Sequence, residues 1–556
     1  MKLTGAEILL SCLLEQNVDT VFGFPGGSVL YIYDALYKYQ DKIRHILTCH
    51  EQGAAHAADG YARSTGKTGV VIATSGPGAT NLVTGIATAY MDSVPMVAIT
   101  GNVSLDLLGK DSFQEIDITG VTMPVTKHNF IVKRVEDVAD TVRRAFYIAQ
   151  SGRPGPVLID IPKDITAAIC DYEPKKPRLV ERHTIYITDE AINIATKLIR
   201  ECKRPLIFAG GGITASGASD ELKAFASKIA APVTLSLMGI GNYPSEDEYY
   251  TGMIGMHGTK TSALAVSNCD LLIACGTRFS DRVLCNVAKF APNAKILQLD
   301  IDPAEINKNI LTFASVIGDI KVTFARLTEK LEDITRVEWL RQITEWKKLY
   351  PILKPCKDEV MPQHIFDAIH SLTNGEALIT TEVGQHQMWT AQFYKFSEPR
   401  TFMTSGGLGT MGFGLGAAIG TQVAHPDKRV FNIAGDGSFY MNMAELVTAA
   451  TYNLPLVEVI MNNGVLGMVR QWQKLFYEKR FSHTTLGRNT DFVKLAESIG
   501  VAGFVIATVD DIIPVLTKVL EQKGPCLVEC RIGSDINVLP MVPAGSSIID
   551  QIFELD

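Results

Sequence analysis

The chain has 556 residues, 46% of them hydrophobic and 20% charged, so it folds, and it is too long for one core; about three domains of roughly 100–200 residues are expected. A net charge of −8 gives no basic footprint for nucleic acid. No run of about 18 apolar residues is free of charges, so nothing is expected to span a membrane.

In chain order, Met1-Lys2-Leu3-Thr4-Gly5-Ala6-Glu7 reads as the start of a helix. It has neither the charged-then-apolar layout of a signal peptide nor the Arg/Ser-rich, acid-poor composition of a transit peptide, and a cytoplasmic protein is expected. The first block, 1–170, carries predicted strands at Thr68–Thr74, Met96–Thr100 and Pro156–Ile161. Inside it, His50-Glu51-Gln52-Gly53-Ala54-Ala55-His56 leads into a small-residue helix, and Glu51 taken alone reads as a capping or solvated carboxylate. Gly60 to Thr68 imitates a P-loop, but one residue too many separates its glycines and it follows a helix, not a strand.

A charged, Pro-bearing stretch from Asp171 to Arg182 reads as a linker. The second block, 185–335, has predicted strands at Pro205–Ala209, Leu271–Ala274 and Ile296–Leu299. Gly210-Gly211-Gly212-Ile213-Thr214-Ala215 follows the first of these and fits either a tight turn or a dinucleotide-binding turn. A second polar linker with Pro351, Pro355 and Pro362 leads to the third block, 362–556. Strands alternate with helices throughout, which predicts an α/β fold of three doubly wound parallel-sheet domains. No short-period repeat is visible, although blocks one and three share a plan in which a Gly-rich turn follows an early strand and helix. The ten cysteines form no CxxC and read as buried thiols in a reducing compartment, with Cys526 and Cys530 on one face of a strand.

The third block holds the sharpest signal. The apolar run Arg429–Ala434 ends in Gly435-Asp436-Gly437, and the run Leu456–Met461 ends in Asn462-Asn463. Two parallel strands joined by a helix bring both ends to one sheet edge, where α/β proteins bind ligands. A carboxylate and an amide oxygen there can hold a hard cation, and the N–H groups of a Gly-rich turn can face phosphate. Mg²⁺ takes few protein oxygens and prefers phosphate for the rest, so the pair predicts a diphosphate bridged by Mg²⁺.

These segments resemble the thiamine diphosphate motif. With Gly23-Phe24-Pro25-Gly26-Gly27, the segment from Ser75 to Asn81, Val383-Gly384-Gln385-His386-Gln387-Met388-Trp389 and Gly406-Gly407-Leu408-Gly409-Thr410-Met411-Gly412, the chain resembles the thiamine diphosphate-dependent decarboxylase and carboligase superfamily over nearly its whole length. Within it, the chain is similar to the catalytic large subunits of acetohydroxyacid synthase, the biosynthetic acetolactate synthase. The specific marks are Phe113-Gln114-Glu115, Lys127, Gly255-Met256-His257-Gly258, the segments from Gly276 to Arg282 and from Gly467 to Gln473, and Pro540-Met541-Val542-Pro543.

The resemblance implies a pyrimidine-binding domain, a central domain and a diphosphate-binding domain. Glu51 would activate the cofactor through its aminopyrimidine, so that thiazolium C2 loses its proton and can attack a 2-keto acid. Asp436, Asn463 and the carbonyl of Val465 would ligate Mg²⁺. Gly384, Gln385, His386, Gly437 and Ser438 would hold the diphosphate. Gly409 would contact the aminopyrimidine, Met411 would sit under the bent cofactor, and Met468 would lie against the thiazolium. Trp472 would set the choice of second substrate, and Phe113, Gln114 and Lys127 would line the channel from the partner subunit. FAD would use Gly210, Gly211, Gly212, Met256, His257, Gly258, Gly276, Thr277 and Arg278, with Asp300 and Asp302 binding ribose or capping a helix.

Thr277 and Ser280 depart from the family's usual Gly-Ala-Arg-Phe-Asp-Asp-Arg, and Tyr440 stands where the family often has Gln. The implied reaction is pyruvate decarboxylation and transfer to a second pyruvate or to 2-ketobutyrate, at the start of branched-chain amino-acid synthesis. A homodimer is the implied minimum and a tetramer the expected form, with a small regulatory subunit as a further partner. The alternatives are a catabolic, flavin-free acetolactate synthase, another carboligase or lyase, and a catalytically silent protein of the same fold.

Overall fold

The computed structural model describes residues 1–351, 356 and 358–554, so Pro355 of the second linker lies outside the described residues. β1 (Lys2–Thr4) opens the chain and passes into a helix, Gly5–Glu15. Thr4 caps it reciprocally: its hydroxyl accepts from the N–H of Glu7 at 3.2 Å, and Glu7 Oε2 accepts from the N–H of Thr4 at 3.0 Å. The predicted helix start therefore holds, one short strand later.

β2 (Thr20–Phe24), β3 (Arg44–Leu47), β4 (Gly69–Ala73), β5 (Met96–Asn102), β6 (His128–Ile131) and β7 (Pro156–Pro162) form a parallel sheet in the order β3-β2-β4-β5-β7-β6. β8 (Ile169–Asp171) returns to pair antiparallel with β1. Asp171, the first residue of the predicted linker, is the last of β8, and no helix or strand follows until Asp189.

β9 (Pro205–Ala209), β10 (Val233–Leu235), β11 (Tyr250–Met253), β12 (Leu271–Cys275), β13 (Lys295–Asp300) and β14 (Ala314–Ile317) form a second parallel sheet, ordered β11-β10-β9-β12-β13-β14. β15 (Leu378–Thr381), β16 (Phe402–Met403), β17 (Val430–Gly435), β18 (Val457–Asn462), β19 (Ala502–Ile506) and β20 (Cys526–Arg531) form a third, ordered β16-β15-β17-β18-β20-β19. The three parallel-sheet domains predicted from the sequence are present. Every residue of β4, β5, β7, β9 and β12 is buried, because helices cover both faces of a doubly wound sheet; that is why these strands read as unbroken apolar runs.

The first and third domains meet through two helices rich in small residues, Glu51–Thr65 and Gly414–Ala424. An added Cβ on Gly420 would lie 1.8 Å from the carbonyl oxygen of Ala57, and one on Gly60 would lie 2.2 Å from that of Ala417. Glycine is used here for close backbone approach. The P-loop imitation is part of this packing, since Gly60 sits in the middle of the first helix. The cysteines only partly follow the prediction. Cys526 and Cys530 share a buried face of β20, and Cys12, Cys269 and Cys275 are buried, but Cys49 and Cys356 are exposed and the rest half-buried. No helix among the described residues is long and apolar enough to cross a membrane.

Candidate active site

β15 and β17 are neighbours, and the chain leaves them toward opposite sides of the sheet, to β16 and to β18. Such a switch point opens a crevice outside the carboxyl ends of the strands. Gly384-Gln385-His386 follows β15, and Asp436-Gly437-Ser438 follows β17. The two turns touch: an added Cβ on Gly435 would lie 2.9 Å from His386 Nδ1. β18 lies beside β17 and delivers Asn463, whose Nδ2 donates to Gln385 Oε1 at 3.4 Å. Gln385 Nε2 in turn donates to Gln471 Oε1 and to the carbonyl of Ile536, both at 3.1 Å. Gly467 lets its helix, Gly467–Phe476, close on this amide, because an added Cβ would lie 1.9 Å from Gln385 Oε1.

Two buried atoms of this crevice have no hydrogen-bond partner, Asp436 Oδ1 and His386 Nε2. Burial pushes the Asp436 carboxyl up to about 6 and pulls the His386 imidazole down to about 3, which leaves the ring neutral. Unpartnered buried polar atoms are uncommon and mark places built to meet something else. Among the described residues no group of three or more His, Cys, Asp or Glu gathers to hold a metal. The donors available are the Asp436 carboxylate, the Asn463 amide oxygen and the Val465 carbonyl. That is a short set of hard oxygens, which suits Mg²⁺ completed by phosphate. A strap from 484 to 486 fixes the last of them: Leu466 N–H donates to Thr484 O at 2.8 Å and Leu486 N–H to Gly464 O at 2.9 Å.

In the first domain Glu51 is the first residue of its helix and is buried. The ring Nδ1 of His50 caps the helix by accepting from the N–H of Gln52 at 3.0 Å. Asn81 Nδ2 donates to Glu51 Oε2 at 2.9 Å. Gly78 leaves room beside the other oxygen, since an added Cβ would stand 3.0 Å from Glu51 Oε1. One carboxylate oxygen is held and the other is spared.

The loop carrying Gly409 and Met411 is pinned from all three domains, through Asp92, Arg63, Glu382 and Met238, which the sequence reading did not single out, and through Arg278, which it did. Asp92 accepts from the N–H groups of Gly406 and Gly407 at 3.1 and 2.7 Å, and Arg63 donates to the carbonyl of Thr404 at 2.8 Å. Arg63 also pairs with buried Asp59 and Asp92. Glu382 accepts from the N–H of Gly414 at 2.8 Å and of Leu415 at 3.3 Å, and burial pushes its carboxyl up to about 7. From the central domain, an added Cβ on Gly406 would lie 2.3 Å from Met238 Sδ, and one on Gly407 would lie 3.0 Å from Arg278 Nη2. Gly409 itself has φ +72°, a left-handed conformation that glycine adopts at least cost.

Three family models match the chain in order. They are the N-terminal thiamine pyrophosphate binding domain over residues 3–121, the central domain of these enzymes over 192–327, and the C-terminal thiamine pyrophosphate binding domain over 382–530. The chain is 44% identical to the acetolactate synthase large subunit of Haemophilus influenzae, across 99% of this chain and 98% of that one. It is 47% identical to the acetolactate synthase large subunit of Corynebacterium glutamicum, across 99% and 90%. It is also 47% identical to the probable acetolactate synthase large subunit of Methanocaldococcus jannaschii, across 98% and 94%. The chain belongs to the acetolactate synthase large-subunit family of thiamine pyrophosphate enzymes.

Against that family the remaining predicted residues are placed as follows. Met468 and Trp472 are half-buried on the helix that closes on Gln385, with the Trp472 ring 5.1 Å from that of Phe476. Beside Trp472, Arg470 pairs with Asp535 at 3.4 Å and stacks over Phe481, and Gln473 accepts from Thr484 at 2.7 Å. Tyr440 packs against Phe492 with Arg488 over its ring. Phe113 is 88% exposed, and Gln114 takes a left-handed backbone with φ +59° against Gly76. The Lys127 ammonium binds the carbonyls of Ile148 and Ser151 at the end of the helix Val138–Gln150, and burial pulls it down to about 8.

In the central domain the switch point lies between β9 and β12. Gly210 and Gly212 pack on the turn at Gly276, their N–H groups donating to the carbonyls of Cys275 at 2.9 Å and Gly276 at 3.0 Å. Two of the three glycines therefore serve a tight turn. Asp302 caps a single turn by accepting from Ala304 N–H at 3.0 Å and pairs with Arg153 at 3.2 Å, while Asp300 accepts from Asp302 N–H at 3.0 Å. Met256 is fixed by backbone bonds to Arg282 and Val542, and His257 Nδ1 is buried without a partner. Gly258 and Thr277 lie in the same buried turns.

Proposed function

We propose that this chain is the catalytic subunit of a thiamine diphosphate- and Mg²⁺-dependent acetolactate synthase that joins pyruvate to a second pyruvate or to 2-ketobutyrate. The observation that carries the reading is the crevice where Asp436 Oδ1 and His386 Nε2 stand buried and unpartnered beside Asn463, in a chain whose near full-length relatives bear the acetolactate synthase name. When bound, thiamine diphosphate supplies a carbon nucleophile and an electron sink, as decarboxylation and carboligation of 2-keto acids require.

The chain's own residues do the rest. Asp436, Asn463 and the Val465 carbonyl hold the cation, and Gln385, His386 and the turn at Gly437-Ser438 hold the diphosphate. Glu51 keeps Oε2 on Asn81 and exchanges a proton at Oε1. The three segments divide as a pyrimidine-binding, a central and a diphosphate-binding domain over about 1–170, 185–335 and 362–556. A homodimer, expanding to a tetramer, completes each site. Exposed apolar side chains next to the site segments support this, among them Leu30, Tyr31, Met441, Met443 and Val447. Phe113 and Gln114 reach the channel across that interface, and a small regulatory subunit fits a chain whose relatives are named large subunits.

Trp472 supplies an apolar wall for the extra methyl group of 2-ketobutyrate. One methylene is worth about 1–3 kcal/mol in such a pocket, roughly 10–200-fold in selectivity. With thiamine diphosphate, Mg²⁺, pyruvate and 2-ketobutyrate supplied together, the expected products are 2-acetolactate and an excess of 2-aceto-2-hydroxybutyrate. Trp472→Leu is expected to shift that ratio toward 2-acetolactate by about tenfold, within the same range. Formation of neither product by the intact protein would overturn the proposal.

FAD fits the central domain through Gly211, Met256-His257-Gly258, Thr277 and Arg278, where the buried His257 Nδ1 awaits a partner. The reaction changes no oxidation state, so the flavin's part is structural. Visible flavin absorbance is expected from the purified protein. A colourless preparation that makes only 2-acetolactate would favour the catabolic, flavin-free reading.

A further inference from the structure

Glu445 is fully buried, and its carboxylate spans two domains. It begins the helix Glu445–Thr451, directly after the helix Asp436–Asn442 that carries the proposed metal ligand. Yet it accepts from the N–H of Cys49 at 3.2 Å and of His50 at 3.0 Å, the two residues that precede Glu51. Thr448 donates to the same carboxylate at 2.7 Å. A buried carboxylate is costly to keep unless it is matched in this way. Its placement at the start of the Glu51 helix also suits the positive end of the helix dipole. The first turn is shaped to receive it, since an added Cβ on Gly53 would lie 2.1 Å from Glu445 Oε1.

We propose that Glu445 is a positioning residue for Glu51: from the C-terminal domain it clamps the backbone at Cys49 and His50 and the turn at Gly53, and so sets where the Glu51 carboxylate stands. This rests on the reading of Glu51 as the residue that activates the cofactor. Asn81 fixes the Glu51 side chain, whereas Glu445 fixes the backbone that bears it. A misplacement of about 1 Å can cost roughly 100-fold in rate, so a clamp on the backbone is enough to matter.

The test compares Glu445→Gln with Leu446→Val in the full chain. Leu446 is equally buried on the same helix but belongs to the hydrophobic core, so its variant reports a merely structural loss. In the cofactor-free protein, amide hydrogen exchange at Cys49 and His50 is expected to speed about tenfold in Glu445→Gln and to stay unchanged in Leu446→Val. With thiamine diphosphate and Mg²⁺ bound, exchange of the cofactor's C2 proton, followed by NMR after quenching from deuterated water, is expected to slow at least about tenfold in Glu445→Gln only. Cofactor affinity should change far less than that rate.

Unchanged amide exchange, or unchanged C2 exchange beside faster amides, would overturn the proposal. If Glu445→Gln does not fold, Glu445→Asp keeps the charge on a shorter stem and is read in the same two assays, with the same outcomes deciding. Failure of the underlying reading is separable: Glu51→Gln would then itself retain C2 exchange.

Discussion

Glu51→Gln is expected to abolish acetolactate formation while the protein still folds and still binds thiamine diphosphate. The substitution changes almost nothing that holds the structure together. Gln keeps an oxygen for Asn81 Nδ2, and the helix cap at His50 and the backbone clamp at Glu445 do not involve the side chain that is changed. What it removes is a group that can take and return a proton at Oε1. Proton transfer by a positioned side chain contributes about 10²–10⁴-fold. A carboxylate needed for every turnover belongs at or above the upper end of that range. Rates of acetolactate production and cofactor binding, measured on the same preparation, separate the two effects. Near-normal turnover by this variant would remove Glu51 from the mechanism. Lost cofactor binding would make it a binding residue instead.

The fold was legible because its sheets are parallel and buried. Strands such as Gly69–Ala73 and Leu271–Cys275 have no solvent face, so they appear as apolar runs ended by glycine turns. The crevice was legible for the same reason. Asp436 and Asn463 end adjacent strands, so two short motifs far apart in the chain could be placed on one edge before any geometry was known. Glu445, Asp92 and Arg63 left no such trace. Each is a charged residue in or beside a helix, which reads as a solvated face until its partner is found. Those partners are backbone groups more than 300 positions away in the chain for all three residues. Periodicity reports which face of an element is buried and says nothing about which distant loop a buried charge will hold. Gly60 reads as part of a P-loop imitation, but the close approach of Gly60 and Gly420 to the backbone of a helix from another domain is a tertiary fact. Lys127 shows the converse: its ammonium binds the carbonyls at a helix end, a use that any lysine near such an end can serve.

Asp436→Asn is expected to weaken Mg²⁺-dependent binding of thiamine diphosphate by at least about 100-fold, which corresponds to about 2.7 kcal/mol, while the cofactor-free protein melts no lower than the parent. The two halves of this expectation have one cause. Asp436 Oδ1 is buried with no hydrogen-bond partner, and burial already pushes the carboxyl up to about 6. In the cofactor-free fold its charge is therefore a burden, retained for a ligand that has to bring the compensating charge. An amide of the same shape relieves the burden and still offers an oxygen to the N–H groups around it. It cannot supply the negative charge that draws Mg²⁺ out of water. Changes to partners one shell farther from a metal already cost about 10–100-fold in affinity, and a direct ligand should exceed that. Calorimetric titration of the cofactor with and without Mg²⁺, beside thermal melts of both cofactor-free proteins, reads the two halves separately. A variant that loses stability and binding together would make Asp436 a structural carboxylate. One that keeps tight Mg²⁺-dependent binding would move the metal elsewhere in the crevice.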